Sequence, residues 1–551
     1  MKKYLTQIVN NKTIRTPQSK PIPGSNQVPN SAGGYSWSVD TWEQLNRFLI
    51  LGSEGGSYYA TERNLTIDNA QNVLNCIQVD GIKTIETIVA ISDSGRAPKN
   101  DPAIFALALA ASAGDDNTRR AALDALPKVC RTATHLFGFV EVIKEMRGWG
   151  RGLRQAIASW YTEKDNRKLA YQVVKYRQRN GWTHTDTLRK AHPNPVNATQ
   201  GEIFKWVTRR EEATWKDNPA QPEDDAMAFI WAFERAQEAS NVNTLLNLIQ
   251  QYDLPREALP TNFLKTPEVW EALLEKMPMT AMIRNLGNMS KNGLLVPNSA
   301  AEKTVIERLT DVERLRRARV HPIAVLSAMR VYAGGRALRG GYNPYQRRSN
   351  ELDWKPAPRV IDALDSAFEL AFQTIEPSNK RTMLALDVSG SMGGGMIAGV
   401  PGLTPRDGSA AMAMVTARTE PQYMFTAFQS KMVDLNISAK MRLDTVIKTI
   451  SGLPFGGTDC AQPMLYALER KLELDTFVIY TDSETWFGNV HPAQALNEYR
   501  QATGIPAKLI VVGMVSNGFT IADPNDKGML DVVGFDTAAP NVMSAFVRDE
   551  I

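Results

Sequence analysis

The chain has 551 residues, 43% hydrophobic and 22% charged, which are values of a folded globular protein and exclude a chain disordered throughout. At about 150 residues per domain, that length predicts three or four domains, or fewer if one is a repeat array. The net charge of +4 conceals an asymmetry: residues 117–210 carry 19 Lys and Arg against 7 Asp and Glu, and residues 382–551 carry 12 against 18. A basic middle suits a polyanion, whereas an acidic end is compatible with a cation site.

The longest apolar runs, such as Leu509–Val515, fall far short of the roughly 18 residues that span a bilayer. The N-terminus shows no secretory h-region. Three cysteines (Cys76, Cys130, Cys460) cannot build a disulfide framework or a cysteine-based zinc site, and the five histidines form no HExxH. A reduced, soluble, cytoplasmic protein with no membrane partner is expected.

Residues 1–39 hold five Lys or Arg and no acidic residue. The stretch TPQSKPIPGSNQVPNSAGG within them reads as a flexible basic arm or linker, although the first few residues of the chain could add a strand or pin the arm to another domain.

Residues 40–375 carry a helical pattern. TWEQLNRFLILG, NAQNVLNCIQVDG, IKTIETIVAISDSG, PAIFALALAASAG, TRRAALDALPKVC and HLFGFVEVIKEM follow one another, with apolar positions near a 3.6 period and Gly, Asp or Pro in the gaps. Short helices on short turns resemble an α-solenoid of the HEAT type, whose curved surface commonly binds a partner.

The basic excess concentrates within this region. At 100° per residue, Lys164, Lys168, Lys175 and Arg179 fall within roughly 60° on one helix face, with Arg167 at its border. Leu169, Val173 and Tyr176 occupy another face and can pack inward. Gly181 is the expected stop, and Thr183 or Thr185 the next N-cap. Such a cationic stripe can track phosphates. Upstream, Arg147, Arg151 and Arg154 surround three glycines that allow close backbone approach or simply form a helix–helix turn. Arg119, Arg120, Arg131, Arg177 and Arg189 complete the candidate phosphate contacts. His184 could meet a base or phosphate, or be a satisfied structural group. Trp149, Trp182, Trp206, Trp215 and Trp231 are five of the eleven tryptophans, placed to stack on unpaired bases or to fill the core. A second basic block at 308–359, with 12 Lys and Arg against 4 Asp and Glu, could face the same cavity or the domain junction.

From residue 376 to residue 551 the pattern changes. TMLALD, YMFTAF, TFVIYTD and KLIVVGMV read as buried strands, separated by the helical GSAAMAMVTART, DTVIKTIS, CAQPMLYALERKL and AQALNEYRQAT. This alternation predicts a mostly parallel, doubly wound sheet covered on both faces. Asp387, Ser389 and Ser391 follow its first strand, Thr458 comes from a second loop, and Asp482 closes the strand TFVIYTD. Five oxygen donors at the carboxyl ends of strands suit a hard divalent cation, with Mg2+ the natural choice. Two carboxylates leave a coordination position for water or for a partner's carboxylate. Catalysis is not expected. An aspartyl-phosphate enzyme needs a second Asp where Ser389 stands, and no GxxxxGK[ST] loop exists.

The DxSxS…T…D set resembles the metal-ion-dependent adhesion site of von Willebrand factor A domains. FLILGSEGGSYYATERNLTIDNA, VCRTATHLFGFV, WGRGLRQAIASWY, KYRQRNGWTHTDTLR, ARVHPIAVLSAM, DWKPAPRVIDALDSAF and EPSNKRTMLALDVSGSM resemble, in order, the Ro autoantigen family of TROVE-domain proteins. The likeness covers roughly residues 40–395 and continues into the A domain. It implies a ring of HEAT-like helices closed by that domain. It further implies Y RNA on a basic outer surface, single-stranded 3′ ends of misfolded noncoding RNAs in a central hole, and a role in RNA quality control. By the same likeness His184 belongs to the RNA-binding surface. A monomeric protein within a ribonucleoprotein is implied, with an exoribonuclease such as polynucleotide phosphorylase as a bacterial partner. The alternative is a protein–protein adaptor whose metal site captures a partner carboxylate.

Overall fold

The computed structural model describes residues 15–209, 222–336, 353–372, 375–400 and 402–551. The helices of the first part start where side chains satisfy orphan amide groups. Asp40 accepts from the N–H groups of Trp42 and Glu43, Asp115 from Thr118, Thr132 from His135, and Asn241 from Thr244. The two helices predicted at 69–81 and 82–95 form one Glu62–Ser94 element broken at Asp80, whose φ of −158° and ψ of 94° are not helical. The Asp80 carboxylate accepts from the Lys83 N–H at 2.9 Å and starts the second half. Gly81 permits a close crossing there, because a Cβ would lie 1.9 Å from Thr118 Oγ1.

Successive helices pack on their neighbours and return to the start. Glu62–Ser94 packs on Asp101–Ala113, which packs on Ala133–Met146. The path continues through Arg151–Thr162, Asn166–Lys175, His184–Ala191 and Ala198–Thr208 to Asp225–Gln237, then through Val242–Tyr252, Pro267–Lys276 and Met279–Lys291 to Pro322–Ala333. His321, the N-cap of that last helix, donates from Nε2 to the Arg96 carbonyl at 2.9 Å, and Arg319 pairs with Asp93 at 3.1 Å. The helical region therefore closes on itself.

Two short strands, β1 (Val28–Pro29) and β2 (Tyr35–Ser38), precede the helices, and a hairpin of β3 (Gln178–Arg179) and β4 (Trp182–Thr183) interrupts them. The second part contains β5 (Thr382–Asp387), β6 (Tyr423–Phe428), β7 (Met432–Asp434), β8 (Thr476–Thr481), β9 (Lys508–Gly513), β10 (Phe519–Thr520) and β11 (Met529–Val533). Six of these form one sheet in the order β11-β9-β8-β5-β6-β7, parallel except at β7. Every residue of β5 and β8 is buried, as expected of central strands covered by helices on both faces.

Residues 15–39 correct the expectation of a flexible arm. β2 pairs with β1 and with β10 of the second part. Gln18 is fully buried and donates to Asp459 at 2.6 Å and to the Val490 carbonyl at 2.8 Å. Asn30 donates to the Thr485 carbonyl at 2.7 Å, and Trp37 enters the core of the sheet domain. The prolines and glycines that suggest a linker instead let an irregular chain follow a surface, while buried amide side chains satisfy its polar groups. Residues 1–14 lie outside the described residues.

Both ends of the helical circuit are fastened to the sheet domain by charge. Near the start, fully buried Arg47 donates to the Phe519 carbonyl at 2.8 Å and to Asp531 at 2.5 Å, and Arg96 grips Asp536 through two bonds. Near the end, Arg330 pairs with Asp407, and Arg418 of the sheet domain pairs with Asp365 and Glu369.

Candidate polyanion surface and metal centre

The predicted basic helix is shorter than its sequence pattern suggests. It spans Asn166–Lys175, with Asp165 as N-cap. Lys164 precedes it, and Arg179 sits in β3 of the hairpin, whose turn residues Asn180 and Gly181 have φ of 51° and 75°. The four cations expected on one helix face therefore belong to three local structures. An Asn-Gly turn with positive φ at both positions is a strong hairpin signal, and it outcompeted the helical periodicity. Thr183 is the next N-cap, in a reciprocal capping box with Asp186.

Several predicted contacts are engaged within the protein. Arg167 donates to the Tyr252 carbonyl at 2.8 Å, pairs with Asp225 and lies 3.9 Å over the Phe229 ring. Lys164 lies 3.6 Å over Trp160, and burial pulls its ammonium down to about 8. Lys175 donates to the Tyr171 hydroxyl, Arg131 to Ser92 and Lys128, Arg119 to Asp116 and Gly114, and Arg147 to the Ala111 carbonyl. Arg177 is exposed and lies 5.0 Å from the Phe233 ring centre.

His184 corrects the expectation of an RNA contact. It is 3% exposed, its Nδ1 meets the Tyr161 hydroxyl at 2.9 Å, and Phe137 packs edge-on against it. Desolvation holds its imidazole down at about 4, so it is neutral. In this structure it is packed between Tyr161 and Phe137 and is not presented on the surface.

The remaining cations define the surface. Arg120, Arg151, Arg154, Lys168, Arg179 and Arg189 are exposed, and none forms an ion pair among the described residues. Arg151, Arg154, Arg179 and Arg189 come from packed neighbours around a tryptophan pair, Trp149 and Trp182, with ring centres 5.8 Å apart. Lys144 stands 5.6 Å from the Trp182 ring centre and Lys190 5.4 Å from that of Trp149. These two lysines were missed because only the fold brings them to the tryptophans. Trp206, by contrast, is buried in the core, Trp231 packs against Tyr252, and Trp215 lies outside the described residues. In the second basic block, Arg308 donates inward to the Leu274 and Met277 carbonyls, Arg330 joins the domain seam, and residues 337–352 lie outside the described residues.

The structure brings the five predicted metal-site residues to one end of the sheet. Asp387 ends β5, Ser389 and Ser391 lie in the turn after it, and Asp482 follows β8. All five, including Thr458, are at least 96% buried. The Ser389 and Ser391 hydroxyls are 3.0 Å apart, Thr481 donates to Asp387 at 2.7 Å, and the Glu484 N–H donates to Asp482 at 3.0 Å. Burial raises Asp387. Burial, together with the charges of Asp387 and Glu484, pushes Asp482 up to about 8. Two such carboxylates with three hydroxyls offer only oxygen donors, the set a hard cation prefers. No group of three or more His, Cys, Asp or Glu suited to a metal occurs among the described residues, so this mixed set is distinct from a zinc-type cluster.

Around the site stand aromatics that the sequence did not single out. Phe455 is 74% exposed, and Trp486 and Phe487 are exposed beside it. Tyr58 and Tyr59 arrive from the helical region.

Comparison with known proteins agrees with this architecture. A family model described as TROVE domain matches residues 28–334, and one described as Ro60 vWA domain matches residues 381–547. The chain thus has the build of a TROVE helical domain joined to an A domain. It is 42% identical to the "RNA-binding protein RO60" of Deinococcus radiodurans, over 98% of both chains. It is 35% identical to the Caenorhabditis elegans protein of the same name, over 99% of this chain and 94% of that one. The crystal structure of the Deinococcus radiodurans RO (RSR) protein matches 93% of this chain and 100% of its own, with a TM-score of 0.67. The chain belongs to the Ro autoantigen family. No helix among its described residues is long and apolar enough to cross a membrane.

Proposed function

We propose that this protein binds RNA without cutting it and serves RNA quality control or degradation in the cytoplasm, as a monomer within a ribonucleoprotein. The observation that carries the reading is the group of exposed arginines around Trp149 and Trp182, Arg151, Arg154, Arg179 and Arg189, none of which pairs with a carboxylate among the described residues, whereas Lys144 beside Trp182 is paired with Glu141 and Glu145. Such a patch neutralises phosphates and offers ring faces to unpaired bases. Y RNA is the ligand for this outer surface, and the single-stranded 3′ ends of misfolded noncoding RNAs are the ligand for the opening of the helical circuit. Likeness to relatives named RNA-binding proteins supports the ligand class. The test is a gel shift with two structured RNAs, one with a single-stranded 3′ tail and one blunt, at several salt concentrations. Tight, salt-sensitive binding that prefers the tail, with the RNA intact, is expected. Equal binding would leave only the outer surface, and cleavage would refute the noncatalytic reading.

A second role rests on the A domain. Asp387, Ser389, Ser391, Thr458 and Asp482 would hold a divalent cation, Mg2+ by its oxygen preference. The exposed Phe455, Trp486 and Phe487 beside them favour a protein partner, whose carboxylate would complete the ion's shell. An exoribonuclease such as polynucleotide phosphorylase is a partner of the right kind for RNA degradation. Asp387→Ala should abolish ion binding and leave RNA affinity unchanged.

A further inference from the structure

The segment ahead of the first helix runs onto the loops that supply two of the five donors. Gln18 is fully buried there, and each of its polar groups has a partner. Its side-chain amide donates to the Asp459 carboxylate at 2.6 Å and to the Val490 carbonyl at 2.8 Å, and its amide oxygen accepts from the Thr485 hydroxyl. Its backbone N–H donates to the Gly488 carbonyl at 3.1 Å, and its carbonyl accepts from the Tyr35 N–H at 2.9 Å. Asp459 is the chain neighbour of Thr458, and Thr485 lies three residues past Asp482. One glutamine thus joins the loops that carry these two donors. The loops also meet directly. The Thr458 carbonyl accepts from the Trp486 N–H at 3.1 Å and the Phe487 N–H at 2.9 Å, and the Cys460 N–H donates to the Thr485 hydroxyl at 3.2 Å.

Further along, the same segment bonds the three residues that follow Asp482. Ser36 Oγ donates to the Ser483 carbonyl at 2.9 Å, the Ser31 N–H to the Glu484 carboxylate at 2.8 Å, and the Asn30 side chain to the Thr485 carbonyl at 2.7 Å. Gly34 permits this approach, since a Cβ there would lie 2.0 Å from the Thr485 carbonyl oxygen. Ser483 has a φ of 62°, in the left-handed region that a residue with a Cβ seldom adopts. With that turn in place, the Glu484 N–H donates back to the Asp482 carboxylate at 3.0 Å. Such a conformation persists where its surroundings over-determine it, and part of those surroundings is the N-terminal segment.

We propose that residues 18–36 are a built-in strap that positions the metal site, with Gln18 fixing the Thr458 and Asp482 loops relative to one another. Gln18 and Ser36 are positioning residues: they hold the loops and supply no ligand. The inference rests on the reading of the five residues as a cation site. A small divalent cation demands near-ideal placement of ligands that come from separate segments. Supporting contacts behind the ligands change metal affinity by roughly 10- to 100-fold. The strap therefore acts on the ion, and not only on the attachment of the N-terminus.

The experiment measures Mn2+ affinity by isothermal titration on the full chain, and thermal unfolding without metal. Gln18→Met keeps the length of the side chain and removes its amide; it is expected to weaken Mn2+ by about tenfold or more. Ser36→Ala removes one hydroxyl and should weaken Mn2+ by about threefold. Tyr499→Phe is the control for stability alone. Its hydroxyl serves Leu472 and Leu474, which precede β8, whereas the donors lie past the other end of that strand. Its melting temperature should fall while Mn2+ affinity stays within about twofold. If the unsubstituted chain binds Mn2+ no better than Asp387→Ala, the cation reading fails and the inference falls with it. If the unsubstituted chain binds Mn2+ well and both strap variants match it, the cation reading stands and the inference alone is overturned. Equal weakening by Tyr499→Phe and Gln18→Met would also overturn it, because the loss would then report stability. Should Gln18→Met not fold, Ser36→Ala decides by the same comparison.

Discussion

Two sets of arginines in the helical region face opposite fates. Arg47, Arg96 and Arg330 point at the A domain, and each meets a carboxylate: Asp531, Asp536 and Asp407. Arg151, Arg154, Arg179 and Arg189 point outward and form no ion pair among the described residues. The first set uses the acidic balance of the C-terminal part to fasten the circuit. The second keeps its charge for a ligand outside the chain. Net charge alone cannot separate the two, because every arginine adds the same single positive charge to the total. The distinction lies in whether the fold supplies a carboxylate.

Acid should produce the largest difference between the two parts. His184 and His321 are buried and His135 is partly buried, all in the helical region, and desolvation holds each at about 4. Their folded values lie below the unfolded 6.5, so the folded state binds fewer protons. Stability is full above pH 6.5 and is lost as pH falls toward 4. His321 is the most exposed to this loss in function, since Nδ1 accepts from the Ile323 N–H while Nε2 bonds the Arg96 carbonyl. Protonation would break the first bond at the closure of the circuit, although Asp536 nearby partly favours the cation. Urea unfolding at pH 7.5 and 5 is expected to show several kcal/mol less stability in acid. Tryptophan fluorescence of the Trp149–Trp182 region should change before the A domain unfolds. Unchanged stability would mean that these histidines find proton acceptors.

Next in size is the seam. Arg47→Met should cost about 3–5 kcal/mol, because it strands the Asp531 carboxylate against an apolar neighbour. Thermal unfolding reads that loss, and RNA affinity measured well below the transition should remain within twofold. The outward set should behave inversely. Charge reversal at Arg151, Arg154 and Arg189 together is expected to weaken RNA binding by about 100-fold. It should flatten the log–log salt slope by about 2 to 3. The melting temperature should stay nearly fixed. If RNA binding survives that triple reversal with its salt slope intact, the ligand lies elsewhere on the circuit.

What was legible in the sequence followed from rules that the fold leaves intact. Continuous apolar runs bounded by helices marked β5, β6, β8 and β9, and DxSxS, GGTD and the Asp after β8 marked the five donors. Helical periodicity marked most of the first part, but it ran past Lys175 because Gln178 and Arg179 continue the polar pattern while Asn180-Gly181 imposes a turn. Cation type was legible and cation state was not. Arg167 and Arg179 look alike in sequence, yet one stacks on Phe229, a residue 62 positions away, and the other meets solvent. Low hydropathy made residues 15–39 look detached. Their attachment depends on Gln18 and Asn30 bonding to loops more than 400 residues distant, which no local pattern encodes.

The smallest effect tests how rigidly the outward set is held. Thr183 ends the hairpin and caps the next helix: its hydroxyl accepts from the Asp186 N–H at 3.2 Å, and the Asp186 carboxylate accepts from the Thr183 N–H at 2.9 Å. Thr183→Ala removes half of that box and should cost about 1 kcal/mol of stability. Arg179 and Trp182 form the pair beside it, in register across the hairpin. If the patch works chiefly as a collection of charges, RNA affinity should fall less than threefold and the salt slope should not move, since phosphate attraction tolerates small displacements. If Trp182 must present a fixed ring face to a base, affinity should fall further at unchanged slope, because stacking depends on orientation and not on counterion release. A gel shift across salt concentrations separates these outcomes. Only the second would make the capped hairpin part of RNA discrimination and not merely its support.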